Sequence, residues 1–129
     1  MTISRFEDIA AWQDARVLAK DVYQCTNRPG FAKDFGLRDQ IQRAAGSVMH
    51  NIAEGFDSGS DLEFVRFLRY AQRSCTEVQS ELYVALDQKY ITEQQFQEIF
   101  DHAGKTRSKI GGFIKYLLSS KRTDKGRRT

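Results

Sequence analysis

The chain has 129 residues, 40% of them hydrophobic, and carries a formal net charge of +3 at pH 7. That length suits one domain able to hide most of its apolar surface, and a single proline favours long uninterrupted helices. Two cysteines are too few for a disulfide framework or a thiolate metal site, and no apolar run is long enough to span a membrane.

The opening MTISRFEDIA lacks the charged-then-apolar layout of a signal peptide, so the expected compartment is the cytoplasm. A first helix is expected from Glu7 to Thr26, with Ser4 as N-cap and Glu7 completing a capping box. Ala11, Ala15, Leu18, Val22 and Cys25 repeat at alternating steps of four and three, a core stripe that Ile9 and Trp12 widen. Trp12 reads as a packed aromatic at the core edge. Asn27 to Gly30 end this helix, because proline lacks an amide hydrogen and glycine tolerates the turn. FAKDFG then reads as a connecting loop whose two phenylalanines cover the end of the core.

A second helix follows and should end near Gly55 as its C-cap. Leu37, Ile41, Ala44, Ala45, Val48 and Ile52 form its apolar stripe. Beside them Gln40, Arg43, Ser47, Asn51 and Glu54 align along one flank, with Asp39, Gly46 and His50 facing outward. A solvated flank usually carries lysine and glutamate. Short amides and a hydroxyl can instead satisfy one another where water is scarce, so these five are expected to form a structural network.

SVMHNIAEG resembles the signature of the bacterial four-helix-bundle proteins named for open reading frames within 23S ribosomal RNA intervening sequences (the S23 type). Gln40, Ile41, Arg43, Ala44, Ala45, Ser47 and the block Asn51 to Gly55 carry the likeness. FEDIAAWQDA before them and EFVRFLRYAQRSCTEVQSEL after them extend it over Phe6 to Leu118. Met49 stands where that family commonly has proline, and Arg73 where glycine is common. The resemblance implies a helical bundle that assembles into a ring of five.

The third helix should begin at Ser60, in a second capping box with Glu63, and run to about Gln88. Phe64, Leu68, Ala71, Cys75, Val78, Leu82 and Ala85 make three heptads of packing seam. Opposite them stand Arg66, Arg69 and Arg73. Phe67 and Tyr70 on one flank, with Val65 and Tyr83 on the other, give more apolar surface than one bundle core needs. Thr92 and Gln95 box the start of the fourth helix, whose seam is Phe96, Ile99, Ala103, Thr106, Ile110, Phe113 and Leu117. Gly104, Ser108 and Gly111 share another side and suggest a close backbone approach there, since each mid-helix glycine costs about 1 kcal/mol relative to alanine. The competing reading is that Gly111-Gly112 breaks the helix. The whole is an all-α, antiparallel up-down-up-down four-helix bundle over residues 1–120, followed by a basic tail over 121–129.

The charge lies unevenly. Lys121, Arg122, Lys125, Arg127 and Arg128 face only Asp124, a tail net of +4, whereas residues 1–120 hold 15 basic and 16 acidic side chains. The tail and the Arg66-Arg69-Arg73 ridge are therefore the candidate contacts for RNA or DNA through backbone phosphates. No phosphate loop, nucleophile elbow or Cys-His pair is present, and no catalytic residue, metal, cofactor or small-molecule substrate is expected. His50 and Glu54 lack a third ligand for a metal. Two alternatives stand beside the binding role. Arg43 and His50, seven apart, resemble the Arg-x6-His motif of metal-independent ribonucleases, with His as acid or base and Arg on the phosphate. The other is a protein–protein adaptor. Partners are accordingly further copies of the chain and a nucleic acid, without a membrane.

Overall fold

The structure, a computed structural model, describes residues 3–119. They form a 3-10 turn at Phe6–Asp8 and five α-helices: α1 (Ala10–Thr26), α2 (Pro29–Lys33), α3 (Phe35–Phe56), α4 (Asp61–Asp87) and α5 (Glu93–Leu118). No strand occurs among the described residues. The basic tail lies outside them, as does the boundary expected at residue 120.

The four long helices pack as a bundle, and the contacts between them fix their directions. Gln72 and Gln79 of α4 reach Arg107 and Phe100 of α5 respectively, so these two helices run antiparallel. Ser74 meets Ser47 in the middle of α3, and Phe64 meets Gly55 near its end, giving the same sense. Asp14 of α1 pairs with Lys109 while Asp21 lies near His102, so α1 opposes α5. All seven seam residues expected on the third helix are buried in α4, Cys75 among them. Each fully enclosed Leu, Val or Phe of this kind contributes roughly 1.5–3 kcal/mol of burial.

Several ends differ from the sequence expectation. The first long helix begins at Ala10 with Ile9 as N-cap, three residues late. The Ser4 hydroxyl goes to the Asp8 carboxylate instead, and the 3-10 turn lets Ile9 enter the core while Phe6 packs edge-on against Trp12 at 5.1 Å. Trp12 itself is half-buried against the core.

FAKDFG is not a loop. Pro29 opens α2 at a position where its missing amide costs nothing, and Asp34 caps α3 by accepting from the Leu37 amide. Phe31 is fully buried and stacks on Tyr90 at 5.4 Å, whereas Phe35 is 63% exposed beneath the Arg38 guanidinium. The Tyr90 hydroxyl donates to Asp34 and Arg28 Nε donates to the Tyr90 carbonyl, tying both connections at this end together. The hydrogen bond to Asp34 raises the Tyr90 phenol above its ordinary pKa.

Gly55 lies inside α3 and is not its cap; the helix runs through Phe56 to Asp57. A Cβ on Gly55 would stand 2.7 Å from Phe64 Cδ1 and 2.9 Å from Phe67 Cβ, so the missing side chain lets α4 approach. The fourth expected helix is continuous through Gly111-Gly112. Its glycines admit side chains: Gln79 Nε2 lies 3.3 Å from where a Gly104 Cβ would be, and Gln72 Nε2 3.1 Å from that of Gly111. Each amide donates to the carbonyl four residues before its glycine. Ile114 takes the core position expected for Phe113, which is half-buried beside Phe64.

The spare apolar flanks are smaller than the sequence suggests. Val65 is buried in the bundle's own core, and Phe67 and Tyr70 are half-buried against each other. Tyr83 remains 51% exposed, packed on Phe96 and Phe100.

Candidate functional site

The polar flank of α3 faces α4, and the structure divides it into three parts. In the middle, Asn51 Nδ2 donates to both the carbonyl and the hydroxyl of Ser47, each at 2.9 Å, and the buried Ser74 hydroxyl reaches Ser47 Oγ at 3.0 Å. This is a closed network joining the two helices. It includes Ser74, which the sequence pattern did not single out.

Toward the start of α3, Gln40 and Arg43 are exposed and line a cavity of about 230 Å³ with Ala44, Ser47, Glu77 and Glu81. The two carboxylates are one turn apart on α4, which sets both on the flank facing α3. Burial, then the neighbouring Glu77, push the Glu81 carboxyl up to about 7, and Arg43 opposes them. Glu81 Oε1 is enclosed and has no hydrogen-bond partner among the described residues. At the other end Glu54 is exposed and lies outside this cavity. The expected five-member network is thus a two-member one completed from α4.

Sequence reasoning missed Glu77 and Glu81. The signal was available: Ser74, Glu77 and Glu81 sit one step off the α4 core seam, on the side that antiparallel packing turns toward Gln40, Arg43 and Ser47.

His50 is exposed, its ring lying against Gly46 of its own helix at 3.6 Å from where a Cβ would be. Arg43 instead lines the cavity toward Glu81, and His50 is not part of that lining. The two do not share a site. His102, the second histidine, approaches the Asp14 carbonyl at 3.1 Å and the Asp21 carboxylate at 3.9 Å. Among the described residues no three His, Cys, Asp or Glu side chains gather closely enough to hold a metal ion. A wider depression of about 810 Å³ spreads over α5, but the Asp14-Lys109 ion pair already occupies its rim.

The arginine ridge is exposed on the outer side of α4. Arg66 is engaged by the Glu63 carboxylate at 2.8 Å and by the Tyr70 hydroxyl, and lies over the Phe67 and Tyr70 rings. Arg73 lies over Tyr70 from the other side. Arg69 has no ion-pair partner among the described residues. Antiparallel packing brings the ridge beside the C-terminal half of α5. Counting formal charges, residues 61–74 and 105–118 together carry a net +5, while residues 75–87 and 93–104 carry −6. The α4-α5 side of the bundle is therefore basic at one end and acidic at the other, and the tail follows Ser119 at the basic end.

The fold defines an antiparallel all-helical bundle whose two central helices share a polar seam. A family model described as 23S rRNA-intervening sequence protein matches residues 7–112, and the chain belongs to that family. Among solved structures, it is similar to a protein of unknown function from the S23 ribosomal protein family of Bacteroides thetaiotaomicron. The TM-score is 0.75 at 22% identity, covering 82% of this chain and 99% of that one, which speaks for the fold alone. No curated protein matches the chain. No described helix is long and apolar enough to cross a membrane.

Proposed function

We propose that this protein is a non-enzymatic, self-assembling bundle that holds nucleic-acid backbones through its basic end without reading their bases. The single observation behind it is the charge polarity: Arg69, Arg73, Lys105, Arg107 and Lys115 all lie in the half of the α4-α5 side, from mid-helix onward, that leads to the +4 tail. Clustered cations without base-reading groups are what phosphate contact requires. A ring of five copies, as the family resemblance implies, would add about twenty tail charges at that end if the subunits run parallel. The acidic end would repel the same polyanion, so binding has a direction. Because Glu63 already engages Arg66, Arg69 and Arg73 are the stronger contributors of the ridge.

The test is a titration of single-stranded RNA and duplex DNA across salt, with light scattering to count subunits. Expected is micromolar or weaker affinity, indifferent to sequence, with a log–log salt slope of about 0.7–0.9 per phosphate contact. Deleting residues 121–129 should remove most of it, and substituting Arg69 and Arg73 the remainder. RNA cleavage that survives tail deletion and vanishes in His50→Ala would favour the ribonuclease instead. Absence of both binding and cleavage leaves the protein–protein adaptor, and a monomer at micromolar concentration removes the ring.

A further inference from the structure

We propose that the α3-α4 groove binds a small zwitterion of the α-amino-acid class, its ammonium group held by Glu77 and Glu81 and its carboxylate by Arg43 and Gln40. The proposal does not depend on nucleic-acid binding, because the groove lies toward the acidic end, away from the arginine ridge.

Its basis is a contrast between neighbours. Ser47, Asn51 and Ser74 satisfy one another inside the seam. One turn away, Gln40, Arg43, Glu77 and Glu81 line a cavity of about 230 Å³, and their side chains make no hydrogen bond or ion pair with any described residue. Arg43 stands on one wall and the two carboxylates on the other, yet no ion pair closes the gap between them. One carboxylate oxygen, Glu81 Oε1, is enclosed without a donor, a deficit that native proteins normally correct with a partner.

The charge pattern selects the ligand. A bare cation would face the Arg43 guanidinium, and a bare anion would face two carboxylates. A group carrying a donor cation beside an acceptor anion satisfies both walls at once. A water's share of liquid volume is about 30 Å³, so the cavity corresponds to roughly seven or eight waters, room for an amino-acid head group and a short side chain. An ammonium beside Glu81 would also favour its ionised form. The carboxyl, held up to about 7 in the free protein, would therefore give up a proton on binding near neutral pH. Arg43 from α3 and Glu77 from α4 are the charged groups acting on it.

The experiment uses the full chain, with glycine and L-alanine as probes, and follows the Gln40 side-chain amide and Arg43 Nε–H by NMR. Saturable shifts at millimolar probe are expected, with neither ethylamine nor acetate reproducing them. Arg43→Met and Glu81→Gln should each weaken binding by roughly tenfold or more through loss of a charge-assisted contact. Both sites are at the groove surface, so folding is checked by circular dichroism. Glycine should release protons from the wild type in unbuffered solution at pH 7 and none from Glu81→Gln. The proposal is overturned if no saturable shift appears up to about 100 mM probe, far above a millimolar dissociation constant. Equal shifts with acetate or ethylamine, or unchanged affinity in both variants, overturn it as well.

Discussion

Replacing Gly55 by alanine should weaken the bundle, although alanine is the better helix former. In a free helix the change would gain about 1 kcal/mol. Here the new methyl would stand 2.7 Å from Phe64 Cδ1 and 2.9 Å from Phe67 Cβ, distances real Cβ atoms essentially never show. The Phe64 ring could tilt, but it is 1% exposed and also meets Phe56 and Phe113. The Phe67 Cβ is fixed to the α4 backbone, so relief requires the helices to part. Overpacking of this kind costs about 1–3 kcal/mol and sometimes more, and subtracting the propensity gain of about 1 kcal/mol leaves a net loss of up to about 2 kcal/mol. Gly112 supplies the control, because nothing lies within 4 Å of its Cβ position; Gly112→Ala should stabilise by up to about 1 kcal/mol. Urea unfolding at one fixed protein concentration, monitored at 222 nm, measures both. If Gly55→Ala were stabilised as much as Gly112→Ala, the close approach of α3 and α4 at that point would be wrong.

Asn51→Leu should cost about 1–3 kcal/mol by removing both donations to Ser47, and a change within about 0.5 kcal/mol would return the flank to an ordinary solvated one. Glu81 makes stability depend on pH with a definite sign. Its carboxyl titrates near 7 when folded against an ordinary value of 4.5, so between those values the folded chain keeps a proton that the unfolded chain has lost. Stability therefore falls as pH rises through that window, by about 1 kcal/mol after screening at this half-exposed group. Glu81→Gln should flatten the profile, and parallel profiles for the two proteins would refute the assignment. Burial holds the Cys25 thiol up to about 11 and Cys75 up to about 12. Neither should react with a disulfide reagent at pH 8 until the protein is denatured, since the thiolate is the nucleophile; fast labelling of the native protein would contradict their burial.

Apolar periodicity made the α4 seam readable residue by residue, because seven side chains at steps of four and three can meet a core only as a helix. The start of α1 was not readable. Ser4 and Glu7 satisfy a capping pattern, but Ile9 and Phe6 gain more by entering the packed edge than the cap returns. Pro29 ends the first long helix and also opens α2, a choice decided by burial of Phe31 against Tyr90, two residues that touch in space but stand 59 apart in the chain. The polar flank was legible as a stripe on one helix, while its partners were not. Ser74, Glu77 and Glu81 acquire meaning only once α3 and α4 are placed side by side. The glycines of α5 announced a close approach, and what approaches turned out to be glutamine amides rather than another backbone.

Those amides have a consequence for motion. Gln72 and Gln79 are seven residues apart, as are Gly104 and Gly111, so the two contacts act like the teeth of a key cut for one lock. A slip of α4 by one turn, about 5.4 Å, would press the amides against Ser108 and Lys115 or against Phe100 and Arg107, where a Cβ stands in the way. A slip by two turns would leave only one tooth engaged. Misregistered hairpins are thus rejected during folding, which widens the gap between the native arrangement and its near neighbours. In the finished protein the two contacts oppose any sliding of α4 along α5 and favour movement of the pair as a single piece.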